Sequence, residues 1–279
     1  RMYHGDTVSG FPGHPHRGFE TVTIVRKGMV DHTDSLGGAG RYGDGDVQWM
    51  TSGKGVQHAE MFPCLNKDSD NPMELFQLWM NLPKASKFVE PNYKMLWAKT
   101  IPTYKHTDKN GKKTMVEVVA GSIENKLAPT PTPNSWAADP EHEVAIWNIQ
   151  MEAGATWELP TASDGVNRTI YFFKGNELNI NDTVVKEYHA AIVKADAAIT
   201  LKSGSKKSYI LILQGKPIAE PVVQHGPFVM NTKDEIQQAF SDYQETGFGG
   251  WPWPSKAHVH ERDQGRFARH SDGKEEIPG

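Results

Sequence analysis

Two histidines separated by a single residue, His14-Pro15-His16, are the residues of this chain whose types and spacing most plainly point to chemistry. Side chains alternate faces along an extended strand, so these two imidazoles project the same way and make a ready pair of metal ligands. Gly18 and Glu20 continue on that face. The device recurs after glycine-rich turns: in Gly53-Lys54-Gly55-Val56-Gln57-His58-Ala59-Glu60, the side chains of His58 and Glu60 share a face. Pairing the two segments inside one barrel would converge three imidazoles and a carboxylate on its interior. A single His-x-His more often decorates a surface or a core, and the second pair is what raises the spacing to a ligand set. Neutral nitrogens with one anionic oxygen suit Fe(II), Mn, Ni, Cu or Zn better than Ca or Mg. No thiolate joins them, which argues against a cysteine-rich structural zinc site. On an octahedral ion such a ligand set leaves positions open for substrate, water or O₂.

The elements that must position these residues read as strands. Glu20–Val25, Asp46–Met50, Glu74–Met80, Val144–Ile149, Thr169–Phe173 and Ser208–Leu213 are short β-branched and aromatic runs bounded by turn residues. That pattern predicts a sandwich or barrel rather than alternating βα units. One helix is expected after Thr232, where Thr232 and Glu235 have capping-box spacing and Ile236, Ala239, Phe240 and Tyr243 recur at helical spacing. Ala128–Asn134, with prolines at alternate positions, reads as a linker. The halves on either side resemble a degenerate repeat. Superposing Lys27-Gly28 on Lys174-Gly175 sets His14 and His16 opposite Thr161 and Ser163, so the second half keeps the strand pattern and lacks the histidines. The expected organisation is therefore a metal-binding barrel over 1–127, a Pro-rich linker over 128–140, and a second barrel with the helix and a tail over 141–279. The tail, Lys256 to Gly279, is expected to be an extended arm. His32, His106 and His142 sit in polar contexts that predict solvation. His189 and His225 lie in the half without the paired histidines, where a packed or surface place is expected, and His258, His260 and His270 sit in a charged tail with no anchoring pattern.

Bulk properties narrow the function classes. With 279 residues and 37% hydrophobic content, a substantial core can form. Net charge is −4 with both signs interspersed, which argues against a direct nucleic-acid or membrane-surface binder. The single cysteine, Cys64, allows no intrachain disulfide and suits a reducing, cytoplasmic setting. No apolar run reaches transmembrane length.

The motifs carry a family resemblance. His14 to Thr23, HPHRGFETVT, resembles the first cupin motif as it appears in pirins. Gly45 to Gly55, followed by His58-Ala59-Glu60-Met61, resembles the pirin form of the second motif, whose histidine lies further from the preceding glycine than in other cupins. Gln214-Gly215-Lys216-Pro217, Glu220-Pro221-Val222-Val223-Gln224, Gly226 to Asn231 and Gly249-Gly250-Trp251-Pro252 extend the likeness over nearly the whole chain. It implies an all-β bicupin: two jelly-roll-like barrels with a short C-terminal helix.

Carried over by position, the resemblance implies metal ligation by His14, His16, His58 and Glu60, with Glu20 as the rival carboxylate or a residue orienting a ligand imidazole. It implies one divalent ion, Fe(II) first, and a quercetinase-type dioxygenase in which Glu60 doubles as general base toward a small aromatic, flavonol-like substrate. Phe11, Phe19, Trp49, Met50 and Met61 are the expected apolar lining. The alternative it implies is a non-catalytic, iron-binding redox sensor that binds protein partners such as transcription factors, nuclear if the source is eukaryotic.

Overall fold

The computed structural model of the chain describes residues 2–3 and 8–278. It consists of two compact units. The first comprises the described residues up to Ala98 with Thr132–Ser135 and the C-terminal segment from Ile218; the second comprises Lys99–Pro131 and Trp136–Pro217.

Each unit is a two-sheet β structure. In the first, a six-stranded sheet runs in the order Ser9–His16, Val56–Phe62, Met29–Asp34, Ala39–Gly43, Phe267–Arg269, Glu275–Glu276. A four-stranded sheet runs Asn92–Leu96, Val47–Thr51, Phe19–Lys27, Glu74–Asn81. The β-branched run Thr21-Val22-Thr23-Ile24-Val25 suits the central strand of that smaller sheet, and all of it is buried. The strand ends at Gly28, where φ is 82° and a β-carbon would stand 2.2 Å from the Pro72 carbonyl oxygen, so only glycine fits. Val25, Val30, Tyr42, Met50, Val56 and Met95 form the core. The second unit repeats the plan with a six-stranded sheet ordered Thr103–Thr107, Lys113–Ala120, Ala145–Met151, Ser208–Gly215, Asn167–Lys174, His189–Lys194. Its four-stranded partner runs Thr156–Leu159, Ile199–Ser203, Glu177–Ile180, Thr183–Lys186, and the core includes Trp147, Trp157, Ile170 and Phe172.

The helix forms as expected over Lys233–Thr246, with both halves of the capping box made and Gly247 in the left-handed region at its end. It packs Ile236 and Ala239 with Phe228, Met230 and Phe248. The unit boundaries differ from the expected ones. Residues 99–127 pair into the second unit, through the ladder from Thr103–Thr107 to Lys113–Ala120 and on to Ala145–Met151. The helix and tail belong to the first unit. Nor is 128–140 a solvated tether: Thr132 and Ser135 are buried, because their hydroxyls satisfy the buried carboxylate of Glu20.

The tail is likewise not a free arm. Phe267–Arg269 adds to the edge of Ala39–Gly43. Arg41 holds Asp31 with two bonds of 2.6 and 2.7 Å and donates to the carbonyls of His260, Glu261 and Gln264 at 3.1, 2.9 and 2.6 Å. A buried guanidinium with several donors can thus fix a segment whose own sequence has no apolar period. No helix among the described residues is long and apolar enough to cross a membrane.

Candidate metal centre

The strand Ser9–His16 pairs antiparallel with Val56–Phe62, placing His14 directly opposite His58. The register shifts between Phe11 and His14, an irregularity of the kind that re-aims side chains beside functional sites. Alternation then carries His16 to the same face. The ring centroids of His14 and His58 are 4.5 Å apart, those of His14 and His16 4.7 Å, and those of His16 and His58 4.9 Å. Among the described residues these three form a group whose ligating atoms all lie within 4.8 Å of one another.

The donor set fits a cation. Both ring nitrogens of His16 and both of His58 are buried without a hydrogen-bond partner among the described residues, which is costly unless something completes them. Nδ1 of His14 lies 2.9 Å from the Pro12 carbonyl, so a proton there leaves Nε2 as a free lone pair. Burial, and next the neighbouring His14, push the His16 imidazole down to about 3. Burial, with His14, His16 and His32 around it, holds His58 well below the ordinary histidine range. The two rings are therefore neutral at physiological pH, the form a metal requires.

Glu60 stands at the edge of this cluster. Its Oε2 is 3.9 Å from Nε2 of His58 and accepts a 2.5 Å bond from Nε2 of Gln77. Its Oε1 accepts from Thr23 at 2.9 Å and from the Tyr42 hydroxyl at 3.4 Å. Two donors on one ion at about 2.1 Å each can be separated by up to about 4.2 Å, so the spacing to His58 is one that a shared ion can span. Glu20 is placed differently. Thr51 and Thr132 donate to its Oε1 at 2.7 and 2.8 Å and Ser135 to its Oε2 at 2.7 Å. Burial raises its carboxyl despite those hydroxyls. Both oxygens are thus engaged by hydroxyl groups, with no bond to a ligand imidazole.

The surroundings of the imidazoles are aromatic. Phe19 lies 5.0 Å from His16, Trp79 5.4 Å from His16, and Phe11 6.4 Å from His14. Phe11 and Trp79 are 49% and 42% exposed, so they form the open side of the site. Trp79 was not among the expected lining residues; its same-strand spacing from Gln77 was the available signal. Met50 instead joins the apolar core.

Among the remaining histidines, His32 is fully buried rather than solvated, 5.7 Å from His58 and bonded to Asp34 at 3.1 Å. His260 reaches the His32 carbonyl at 3.1 Å and so belongs to the wall behind the site. His142 stacks on Trp136, and His189 and His225 are exposed. The turn after His16 is tied down by Arg17, which donates to the Lys54 carbonyl and to Asp242 of the helix, each at 2.6 Å.

Residues 1–80 match the family model for pirin, and residues 146–249 match the model for the pirin C-terminal cupin domain. The chain is 36% identical to Pirin of Mus musculus, covering 91% of this chain and 84% of that one. It is 35% identical to a pirin-like protein of Caulobacter vibrioides, covering 87% and 82%. Among solved structures, a quercetin 2,3-dioxygenase from Acinetobacter baumannii matches with a TM-score of 0.78 and 32% identity, over 89% of this chain and 82% of that one.

Proposed function

Because the chain belongs to the pirin family, we propose that it is a metal-dependent dioxygenase of the quercetinase type, acting on a flavonol-like enol. One observation carries the reading: the imidazoles of His14, His16 and His58 are gathered beside a buried carboxylate, the ring nitrogens of His16 and His58 without a partner among the described residues, with exposed aromatic rings around them. His14, His16 and His58 would hold one divalent ion, Fe(II) first, with Glu60 as the fourth donor. Bound there, the ion supplies Lewis acidity that makes the substrate's enol hydroxyl easier to deprotonate.

The chain's own residues do the rest. Glu60, once loosened from the ion, would receive the hydroxyl proton at Oε2, the oxygen nearest His58, and so act as the general base. Gln77 donates to that same oxygen and fixes its direction, while Thr23 and Tyr42 hold the other oxygen. Phe11 and Trp79 offer flat apolar faces to a flat aromatic ligand, and Phe19 covers the His16 ring on the inner side.

The test is turnover of quercetin by iron-loaded protein, followed as loss of visible absorbance and release of carbon monoxide. Turnover that disappears in His58→Ala supports the reading. A second reading, carried by the family resemblance, is a non-catalytic iron-binding redox sensor with protein partners. Full iron occupancy with no flavonol consumed would select it.

A further inference from the structure

Arg17 follows His16 along the chain and Gln57 precedes His58, and one element holds both: the helix Lys233–Thr246 with the turn that ends it. Nε of Arg17 donates to the Lys54 carbonyl and Nη1 to Oδ2 of Asp242, each at 2.6 Å. Lys54 lies in the loop that leads into Val56–Phe62, the strand of His58 and Glu60. Alternation turns Gln57 away from the face that carries His58. Its Nε2 donates to the carbonyls of Gly247 and Gly250, and its Oε1 accepts from the Tyr243 hydroxyl at 3.2 Å. The helix thus grips both ligand-bearing segments, and none of these bonds is to an imidazole.

Arg17 is the joint. Its side chain is 6% exposed, whereas that of Asp242 is 30% exposed. The guanidinium lies over the Phe248 ring, 4.5 Å from its centroid. Gly55, in the loop before His58, packs against the same ring; a β-carbon there would stand 2.7 Å from it, so only glycine fits. The backbone is tied as well: the Arg17 amide donates to the Pro227 carbonyl at 3.4 Å, and the Arg17 carbonyl accepts from the Val229 amide at 3.1 Å. A guanidinium this buried is costly unless its charge and its donors are matched. Asp242 supplies the matching charge. The bond from Arg17, and next that from Gln238, hold the Asp242 carboxyl below its ordinary range, so it is ionised at neutral pH.

We propose that Asp242 is a positioning residue of the metal centre: through Arg17 it fixes the turn after His16 against the loop before His58, and so sets how tightly the ion is held. A ligand set binds tightly when its imidazoles already stand where the ion needs them, and freedom between the two segments weakens it. The proposal rests on the metal-centre reading and extends it to a surface helix.

The test loads the full chain with cobalt(II), reads its affinity by competition with a chelator and records the visible spectrum at saturation. Asp242→Ala should weaken cobalt by about tenfold and leave the saturated spectrum unchanged, because every ligand is still present. Asp242→Glu keeps the charge and should recover most of that loss. Arg17→Lys cannot span both acceptors and should weaken cobalt as Asp242→Ala does. The double variant should be no weaker than either single one, since both break the same link. Ala239→Gly loosens the helix without touching Arg17; it should lower the melting temperature and leave the affinity alone. Parental affinity in Asp242→Ala, additive losses in the double variant, or an equal loss in Ala239→Gly would each overturn the proposal. A parent that takes up no cobalt would overturn the metal centre itself and the proposal with it, a result distinct from those three.

Discussion

Nε2 of His58 and Oε2 of Glu60 lie 3.9 Å apart, both side chains buried, in a strand whose alternation puts them on one face. The pair joins the imidazole cluster to the carboxylate proposed as base, and Gln77 reaches the same Oε2 from the strand Glu74–Asn81.

Glu60→Gln keeps the size of the side chain and removes its ability to take a proton. The expected outcome is a fall in kcat for quercetin of about 10²-fold or more. A variant with parental kcat would remove Glu60 from the mechanism.

Gln77→Leu deletes the donor that orients Glu60 while keeping comparable volume. Metal affinity should drop by about tenfold, measured by competition with a chelator. A purely structural role would instead lower the melting temperature and leave the affinity unchanged.

Lys87 is buried, and its ammonium donates to the carbonyls of Gly18 and Val229 at 2.8 and 2.9 Å and to the Asn81 side chain at 2.7 Å. Burial pulls it from 10.5 down to about 8, against the opposing carboxylates of Glu220 and Glu235. Below pH 8 the folded and unfolded chains both hold this proton, so the group contributes no slope. From about pH 8 to 10.5 the unfolded chain binds more protons, and stability from Lys87 rises with pH. Lys87→Met should cost about 2–4 kcal/mol at neutral pH by leaving buried acceptors unpaired. Denaturant titrations should show the gap between parent and variant widening across that window; a gap that narrows would reverse the assignment.

Arg41→Met leaves the buried Asp31 carboxylate without its guanidinium and the tail carbonyls without their donor. The expected cost is about 3–5 kcal/mol. Limited proteolysis should then cut between residues 256 and 278 faster than in the parent. Equal cleavage rates would mean that strand pairing by Phe267–Arg269 alone retains the tail.

What the sequence revealed follows from how local each signal is. His14, His16 and His58 were legible because a two-residue period fixes the face of a side chain without knowledge of the rest of the fold. The helix was legible for the same reason, with Thr232 and Glu235 only three residues apart. Glu20 was not, because Thr132 and Ser135, two of the hydroxyls that engage it, lie 112 and 115 residues away along the chain. His32 sits among Asp31, Thr33 and Asp34, which reads as a solvated stretch. Its burial depends on the tail, where His260 and Arg41 meet. The unit boundaries were misplaced because alternating prolines mark extended backbone, not exposure, and the hydroxyls of Thr132 and Ser135 on one buried carboxylate suffice to bury such a stretch.

The most direct measurement is the metal content of the purified chain and of His58→Ala by elemental analysis after loading with iron. The account predicts about one metal per chain in the parent and only traces in the variant, following a single ligand set. A variant that still carries a full equivalent, or a parent that carries two, would contradict it.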